Sequence, residues 1–315
     1  MTADILFLGG TSIDLVEEKG RKLAFFASVG GSITNSGIIA AKLGLKTGLL
    51  SRIGRDPLGD FAHDFLGSCG LCVKGVIRDK RIHTPLAIAR IDKCGAAKYT
   101  FYKNSPKESV VPIESVPKRL LDDCRFFHTG SSYSYQGETF EETLKFIKYL
   151  KKRKVFVSYD PNIRPDIITN KAIVKKRVFR LLKLADLAKL SETDLDYLTG
   201  TKDPRKSLKA LRKTVKCELI LTLGSKGATY LSPDGKFIKI PAFKVRVADT
   251  IGAGDAFTAG LIYKLIKQGK AEFFSNIRSN MIFASAVSAL ICSQKGANLG
   301  LKNIKQVKTF LAKQH

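Results

Sequence analysis

Asp249-Thr250-Ile251-Gly252-Ala253-Gly254-Asp255, running on into Ala256-Phe257-Thr258-Ala259-Gly260, is the stretch around which this chain is organised. Phe237 to Val247 before it is strand-like, and Phe257, Leu261 and Leu265 after it recur at helical spacing. A short glycine-rich turn therefore opens a helix. The first amides of a helix have no partner within it, so they point at whatever lies above the turn. Glycines there let a bulky anion approach the backbone.

Asp255 stands at this opening with two readings. A carboxylate in a first helical turn can be a cap that favours the helix dipole, worth about 0.3–1 kcal/mol. It can also be a base. A cap alone does not account for Gly252 and Gly254 or for the second acid, Asp249, ahead of the turn. An anion hole with a base beside it does, and that pairing suits phosphoryl transfer: amides hold the charge on the moving group while the carboxylate takes the acceptor's proton.

Composition sets the outer limits. The 315 residues allow a large core in one or two domains. Met1-Thr2-Ala3-Asp4 lacks the basic start of a signal peptide, and no apolar run approaches the roughly 20 residues that span a membrane; the expected compartment is the cytoplasm. The formal charge is +26, from 54 Lys and Arg against 28 Asp and Glu. The excess lies mainly in helix-like stretches such as Lys151-Lys152-Arg153-Lys154 and Lys175-Lys176-Arg177. It is not interleaved with aromatics, so it reads as solvated helix faces rather than a dedicated nucleic-acid surface. Of six cysteines only Cys69 and Cys72 are close, with no second pair to complete a zinc site, and reduced thiols are expected.

The segment Asp249–Asp255 closely resembles the C-terminal signature of the ribokinase/fructokinase family of carbohydrate kinases, with Ile251 at a usual threonine. The resemblance covers essentially the whole chain. It implies an α/β fold: a predominantly parallel central sheet flanked by helices (ribokinase-like), with a small β-sheet lid. The large domain would comprise residues 1–12, 34–82 and 105–315, and the lid 13–33 and 83–104. It also implies an ATP-dependent kinase that phosphorylates a primary hydroxyl of a sugar with Mg²⁺. Asp255 would be the base and Gly252, Ala253, Gly254 and Asp255 the anion hole. A monovalent cation, K⁺, would sit against the backbone near Asp249 and Ile251.

The remaining positions follow in chain order. Asp14, after a first strand at Asp4–Leu8, matches the family's sugar-binding aspartate. Gly30-Gly31-Ser32-Ile33-Thr34-Asn35 opens a small-residue helix; Gly30, Gly31 and Asn35 are expected at the sugar, the Asn35 amide suiting a hydroxyl pair. Ribokinases carry lysine where Ser32 stands, which disfavours ribose. Ile53-Gly54-Arg55-Asp56-Pro57-Leu58-Gly59 matches the N-terminal signature. Thr84–Ile91 and Lys98–Tyr102 read as antiparallel lid strands about Asp92-Lys93-Cys94-Gly95. Thr100-Phe101-Tyr102-Lys103 resembles the Phe-Tyr-Arg block of fructokinases and 2-keto-3-deoxygluconate kinases, placing Tyr102 and Lys103 at the sugar. Lysine keeps the charge and loses the bidentate fork.

From Arg125 onward strands and helices alternate. His128 reads as a hydrogen-bonded residue beside the sheet's edge rather than a catalyst. Asp160-Pro161-Asn162-Ile163-Arg164 follows a strand end, where Asp160 and Asn162 suit an Asx turn; by resemblance to the Asp-Pro-Asn-x-Arg of fructokinases and 2-keto-3-deoxygluconate kinases, Arg164 is the expected sugar or phosphoryl contact. Ser191-Glu192-Thr193-Asp194 stands where relatives have Asn-x-x-Glu. Ser191 would face the nucleotide and Asp194 would position water around Mg²⁺, with Glu192 in reserve. Leu219–Leu223 leads to Gly224-Ser225-Lys226-Gly227-Ala228. There Thr222, Gly224, Lys226 and Gly227 match a nucleotide loop, although a β-turn explains the local pattern equally. Ser285, in a small-residue run, would lie near adenine unless that run serves helix packing. The pattern favours fructose, then 2-keto-3-deoxygluconate, ribose or a nucleoside. A homodimer through the lid and, as a non-enzyme reading, a polyanion-binding module on a kinase fold complete the expectations.

Overall fold

A computed structural model describes residues 3–18, 21, 24–91, 97–201 and 203–314. Its strands are β1 (Ile5–Leu8), β2 (Ser12–Glu17), β3 (Phe25–Gly30), β4 (Thr47–Gly54), β5 (Cys72–Asp79), β6 (Leu86–Ile91), β7 (Ala97–Tyr102), β8 (Phe126–Gly130), β9 (Phe156–Asp160), β10 (Leu187–Ser191), β11 (Glu218–Thr222), β12 (Ala228–Leu231) and β13 (Phe237–Ile240). Among the described residues, nine form one sheet in the order β13-β12-β11-β10-β9-β8-β1-β4-β5, and four form a second in the order β3-β2-β6-β7.

Period-2 alternation builds the large sheet's two cores. Leu6 and Leu8 of β1 pack into one apolar cluster, while Ile5 and Phe7 enter the other. β11 repeats the pattern, Leu219 and Leu221 facing one side and Ile220 the other. Strands buried on both faces read as continuous apolar runs, as parallel strands between helix layers must. Each such side chain contributes roughly 1.5–3 kcal/mol relative to exposure. Every ladder from β5 through β4, β1, β8, β9, β10 and β11 is parallel, and β12 and β13 close the edge antiparallel.

From β1 the chain runs outward to β4 and β5, then returns to the other flank as β8. Strand order therefore reverses beside β1, and ligands of open α/β sheets bind outside the carboxyl ends at such a switch. The small sheet sits over that end. Its β2–β3 and β6–β7 pairs are antiparallel, but β2 and β6 run parallel, so it is mixed rather than wholly antiparallel. The turn Asp92–Gly95 lies outside the described residues.

The Ile53–Gly59 block joins the two sheets. Asp56 caps the helix Pro57–Ser68 through the Gly59 amide, 2.8 Å. The same carboxylate accepts from the Thr84 amide and hydroxyl, each at 2.7 Å, anchoring the entry to β6. The strand expected from Phe237 to Val247 ends at Ile240, because Pro241 has no amide to donate to a ladder. His128 lies fully buried mid-sheet, its Nδ1 3.1 Å from Ser158 Oγ, rather than at an edge; burial lowers its pKa to about 4. Among the described residues, no helix is long and apolar enough to cross a membrane.

Candidate active site

A cavity of about 480 Å³ opens at the switch point, between the carboxyl ends of the parallel strands and the small sheet. The helix Ala253–Gln268 begins at its floor. Gly252, just before it, has φ +79°, and a Cβ there would lie 2.2 Å from the Ala297 carbonyl oxygen, so glycine is required. Among the described residues the amides of Gly252, Gly254 and Asp255 have no backbone acceptor, whereas the Ala253 amide bonds to the Thr250 carbonyl at 3.2 Å. The available set is thus three amides, because the N–H of Ala253, expected among them, closes the turn instead.

Asp255 lines the cavity at 7% exposure. The helix Ser32–Lys42 grips its carboxylate: Ser32 Oγ donates to Oδ1 at 2.6 Å and Asn35 Nδ2 to Oδ2 at 3.1 Å. Burial raises its pKa and the charge of Asp160 adds to that, while the two hydrogen bonds and Lys189 oppose it. Asn35 Oδ1 accepts from Asn298 Nδ2 at 3.0 Å. The Asn35 amide therefore directs the carboxylate of Asp255, a task the sequence reading had not given it.

Asp14 also lines the cavity. Burial raises its pKa to about 6, the Ser12 hydroxyl at 2.8 Å opposes this, and the charge of Asp255 raises it further. Gly30 is beside it for a steric reason, since a Cβ would stand 2.1 Å from Asp14 Oδ2. Gly31, at φ +103°, passes so close to Gly10 that a Cβ would meet its carbonyl oxygen at 2.3 Å.

Lys103 and Arg164 line the same cavity, with the Lys103 ammonium 3.4 Å from Ser132 Oγ. Tyr102 does not; it is 59% exposed, and Phe101 takes the lining position. Neighbours on a strand face opposite ways, so the motif fixes the strand but not which of its residues faces the cavity.

The expected nucleotide residues form a separate shelf along the same sheet edge. Ser191 and Thr222 are register partners at the ends of β10 and β11, and the turn Gly224–Lys226 follows. Gly224 and Gly227 have φ +54° and +93°. Lys226 Nζ is 3.8 Å from Glu192 Oε1 on the first turn of the helix Glu192–Thr199, which follows Ser191. Ser285 is buried in the helix Ile277–Cys292, where Gly260 packs so closely that a Cβ would lie 2.7 Å from Ala284 Cα; the small-residue run serves packing there.

Asp194 departs from expectation. It is fully buried and forms a capping box with Ser191, taking the Ser191 amide and hydroxyl on Oδ2 and the Ile163 amide on Oδ1, all within 2.7 Å. With both oxygens engaged it is a helix cap, which leaves Glu192 as the exposed carboxylate of this motif. Asp249 ties down the loop through the Ile251 amide at 2.9 Å and the Gly296 amide at 3.2 Å, and Ile251 lines the cavity.

Three contributors escaped the sequence reading. Ser32 appeared there only as a small residue, and Asn298 not at all. Lys189, buried in β10, lines the cavity with Nζ 2.7 Å from Asp160 Oδ2. Its signal was a lysine in the middle of the apolar run Leu187-Ala188-Lys189-Leu190.

A buried, oriented carboxylate beside unpartnered helix-start amides, at the switch point of a parallel sheet and under a small β lid, defines a phosphotransferase site. The model of the pfkB family carbohydrate kinases matches residues 2–304. The chain belongs to that family, and it is an ATP-dependent carbohydrate kinase by class. It is 27% identical over 293 residues to fructokinase-1 of Zea mays, covering 92% of this chain and 90% of the relative. A fructokinase from Xylella fastidiosa with bound ATP superposes with TM-score 0.88 at 27% identity, covering 99% of this chain and 98% of that one. A fructokinase double mutant from Vibrio cholerae O395, in a form with fructose, ADP and potassium ion, gives TM-score 0.84 at 26% identity and 98% and 97% coverage.

Proposed function

We propose that this kinase transfers the γ-phosphoryl group of ATP to a primary hydroxyl of fructose. The observation that carries the reading is Asp255, a buried carboxylate held by Ser32 and Asn35 beside the amides of Gly252, Gly254 and Asp255, which have no backbone acceptor among the described residues. The similarity to fructokinases over nearly the whole chain supports the choice of sugar. Lys103 supports it further: one ammonium suits a neutral sugar, whereas a sugar acid such as 2-keto-3-deoxygluconate favours a bidentate guanidinium.

In this reading Asp14, Gly31, Lys103 and Arg164 surround the sugar. Asp255 accepts the hydroxyl proton as that oxygen bonds to the γ-phosphorus and the bond to the β,γ-bridging oxygen breaks. The products are a sugar phosphate, ADP and one proton. The three amides carry charge that develops on the phosphoryl oxygens. The lid excludes the water that would compete as acceptor. ATP lies along the shelf of Ser191, Thr222, Gly224, Lys226 and Gly227.

Among the described residues no three His, Cys, Asp or Glu side chains could together hold a metal ion. Mg²⁺ is therefore assigned to the phosphates and water, a mode that suits this ion, with Glu192 as the nearby exposed carboxylate. When bound it neutralises phosphate charge. A potassium ion would take backbone oxygens near Asp249 and Ile251. Exposed Phe26 and Tyr102 on lid strands support a homodimer through the lid, which sedimentation would test.

The test of substrate is a panel of fructose, 2-keto-3-deoxygluconate, ribose, adenosine and inosine, read by ADP release and by phosphorylated product. Fructose should give the highest kcat/KM. Preference for another member by tenfold or more would move the assignment to that sugar.

A further inference from the structure

β10 carries a buried lysine in an otherwise apolar strand. Lys189 is 5% exposed and Asp160, at the end of β9, is fully buried. Register sets Ala188 opposite Tyr159, which makes the next residues, Lys189 and Asp160, neighbours. Their 2.7 Å contact neutralises the charge. It occupies one of three ammonium donors and is the sole partner of Nζ among the described residues. A buried ion pair is weak evidence of a stability role, since apolar residues of similar volume often serve as well.

Location gives the pair its meaning. Lys189 borders the cavity together with Gly252, Gly254 and Asp255. Gly254 lies in ordinary helical backbone, so no turn requires glycine there. The one atom that a Cβ at Gly254 would meet within 4 Å is Lys189 Nζ, at 3.1 Å. The missing side chain is the space the ammonium uses. Thr258, one turn further along the same helix, reaches Asp160 Oδ2 at 3.5 Å, which ties the counter-ion to that helix.

We infer that Lys189 reaches past Gly254 to bind an oxygen of the terminal phosphoryl group of the nucleotide and holds it through transfer, with Asp160 as the positioning counter-ion. The inference rests on the kinase reading and adds a fourth donor, the only charged one, to the three amides. Lys189 keeps its proton throughout; it donates hydrogen bonds while the acceptor oxygen bonds to phosphorus and the bond to the β,γ-bridging oxygen breaks.

The test compares ADP with the β,γ-imido analogue of ATP by titration calorimetry, without sugar, on the full chain. Lys189→Met should bind ADP within about twofold of wild type and lose about tenfold or more for the analogue. With the sugar that wild type consumes, kcat should fall by about 10²–10³, the scale of one oxyanion donor, and added ethylammonium should restore part of the activity of Lys189→Ala. Gly254→Ala, which crowds the ammonium without removing it, provides a second route should Lys189→Met not fold; it too should weaken the analogue more than ADP. Equal losses for both nucleotides, or turnover near wild type, would overturn the inference. If wild type phosphorylates no sugar, the proposed activity fails, while the two nucleotide affinities still decide the place of Lys189.

Discussion

Asn35 Nδ2 donates to Asp255 Oδ2 across 3.1 Å, joining the first turn of one helix to the first turn of another 220 residues later in the chain. Asn298 holds the other end of the Asn35 amide, which fixes its orientation. The proposed base is thus aimed by a relay of amides before any sugar enters.

That relay separates two roles for Asn35. Asn35→Ala frees one carboxylate oxygen, and misplacing a reacting group by about 1 Å can cost about 10²-fold. We expect kcat to fall by about 10- to 100-fold with the KM for ATP unchanged, measured by steady-state kinetics. An effect confined to the sugar KM would return Asn35 to the role of a direct sugar ligand.

Asp14 gives a pH prediction with a definite sign. Its pKa is raised to about 6 in the folded protein, chiefly by burial, so the fold favours its protonated form. The stability this brings is fully present below the ordinary aspartate range near 3.8 and is lost as pH rises through about 6. Asp14→Asn, neutral throughout, should therefore unfold at a higher temperature than wild type at pH 7.5. The gain would be at most about 3 kcal/mol, from roughly 1.4 kcal/mol per pKa unit, and the gap should close near pH 4. A variant no more stable at pH 7.5 would contradict the raised pKa.

Gly252→Ala tests the turn itself. A left-handed residue costs roughly 1–2 kcal/mol for a non-glycine, and the new Cβ would collide with the Ala297 carbonyl at 2.2 Å. Denaturant unfolding should show a loss beyond about 2 kcal/mol, with sugar-dependent turnover abolished. A change within about 0.5 kcal/mol would mean that this backbone is not held as described.

Much of this arrangement was legible in the sequence because its signals are local. The glycine-rich helix opening at Gly252–Asp255, the apolar parallel strands and the strand-end motif Asp160–Arg164 each declare themselves within a few residues. What escaped depends on partners distant in the chain. Lys189 reads as an interruption until sheet register sets it beside Asp160. Asn35 and Ser32 read as sugar contacts or small packing residues until the two helices meet at Asp255. Tyr102 reads as the contact in place of Phe101 because a strand motif gives position without parity. Asp194 differs: Ser191-x-x-Asp194 is the local pattern of a capping box, so its helix-cap role is legible in the sequence alone.

The central claim, that Asp255 removes the acceptor's proton in phosphoryl transfer, is tested most directly by Asp255→Asn, assayed for sugar-dependent ADP release alongside ATP affinity and thermal unfolding. The account predicts a folded protein with ATP affinity near wild type and kcat reduced by about 10²–10⁴, the range of general-base contributions. Turnover within a few-fold of wild type would contradict it.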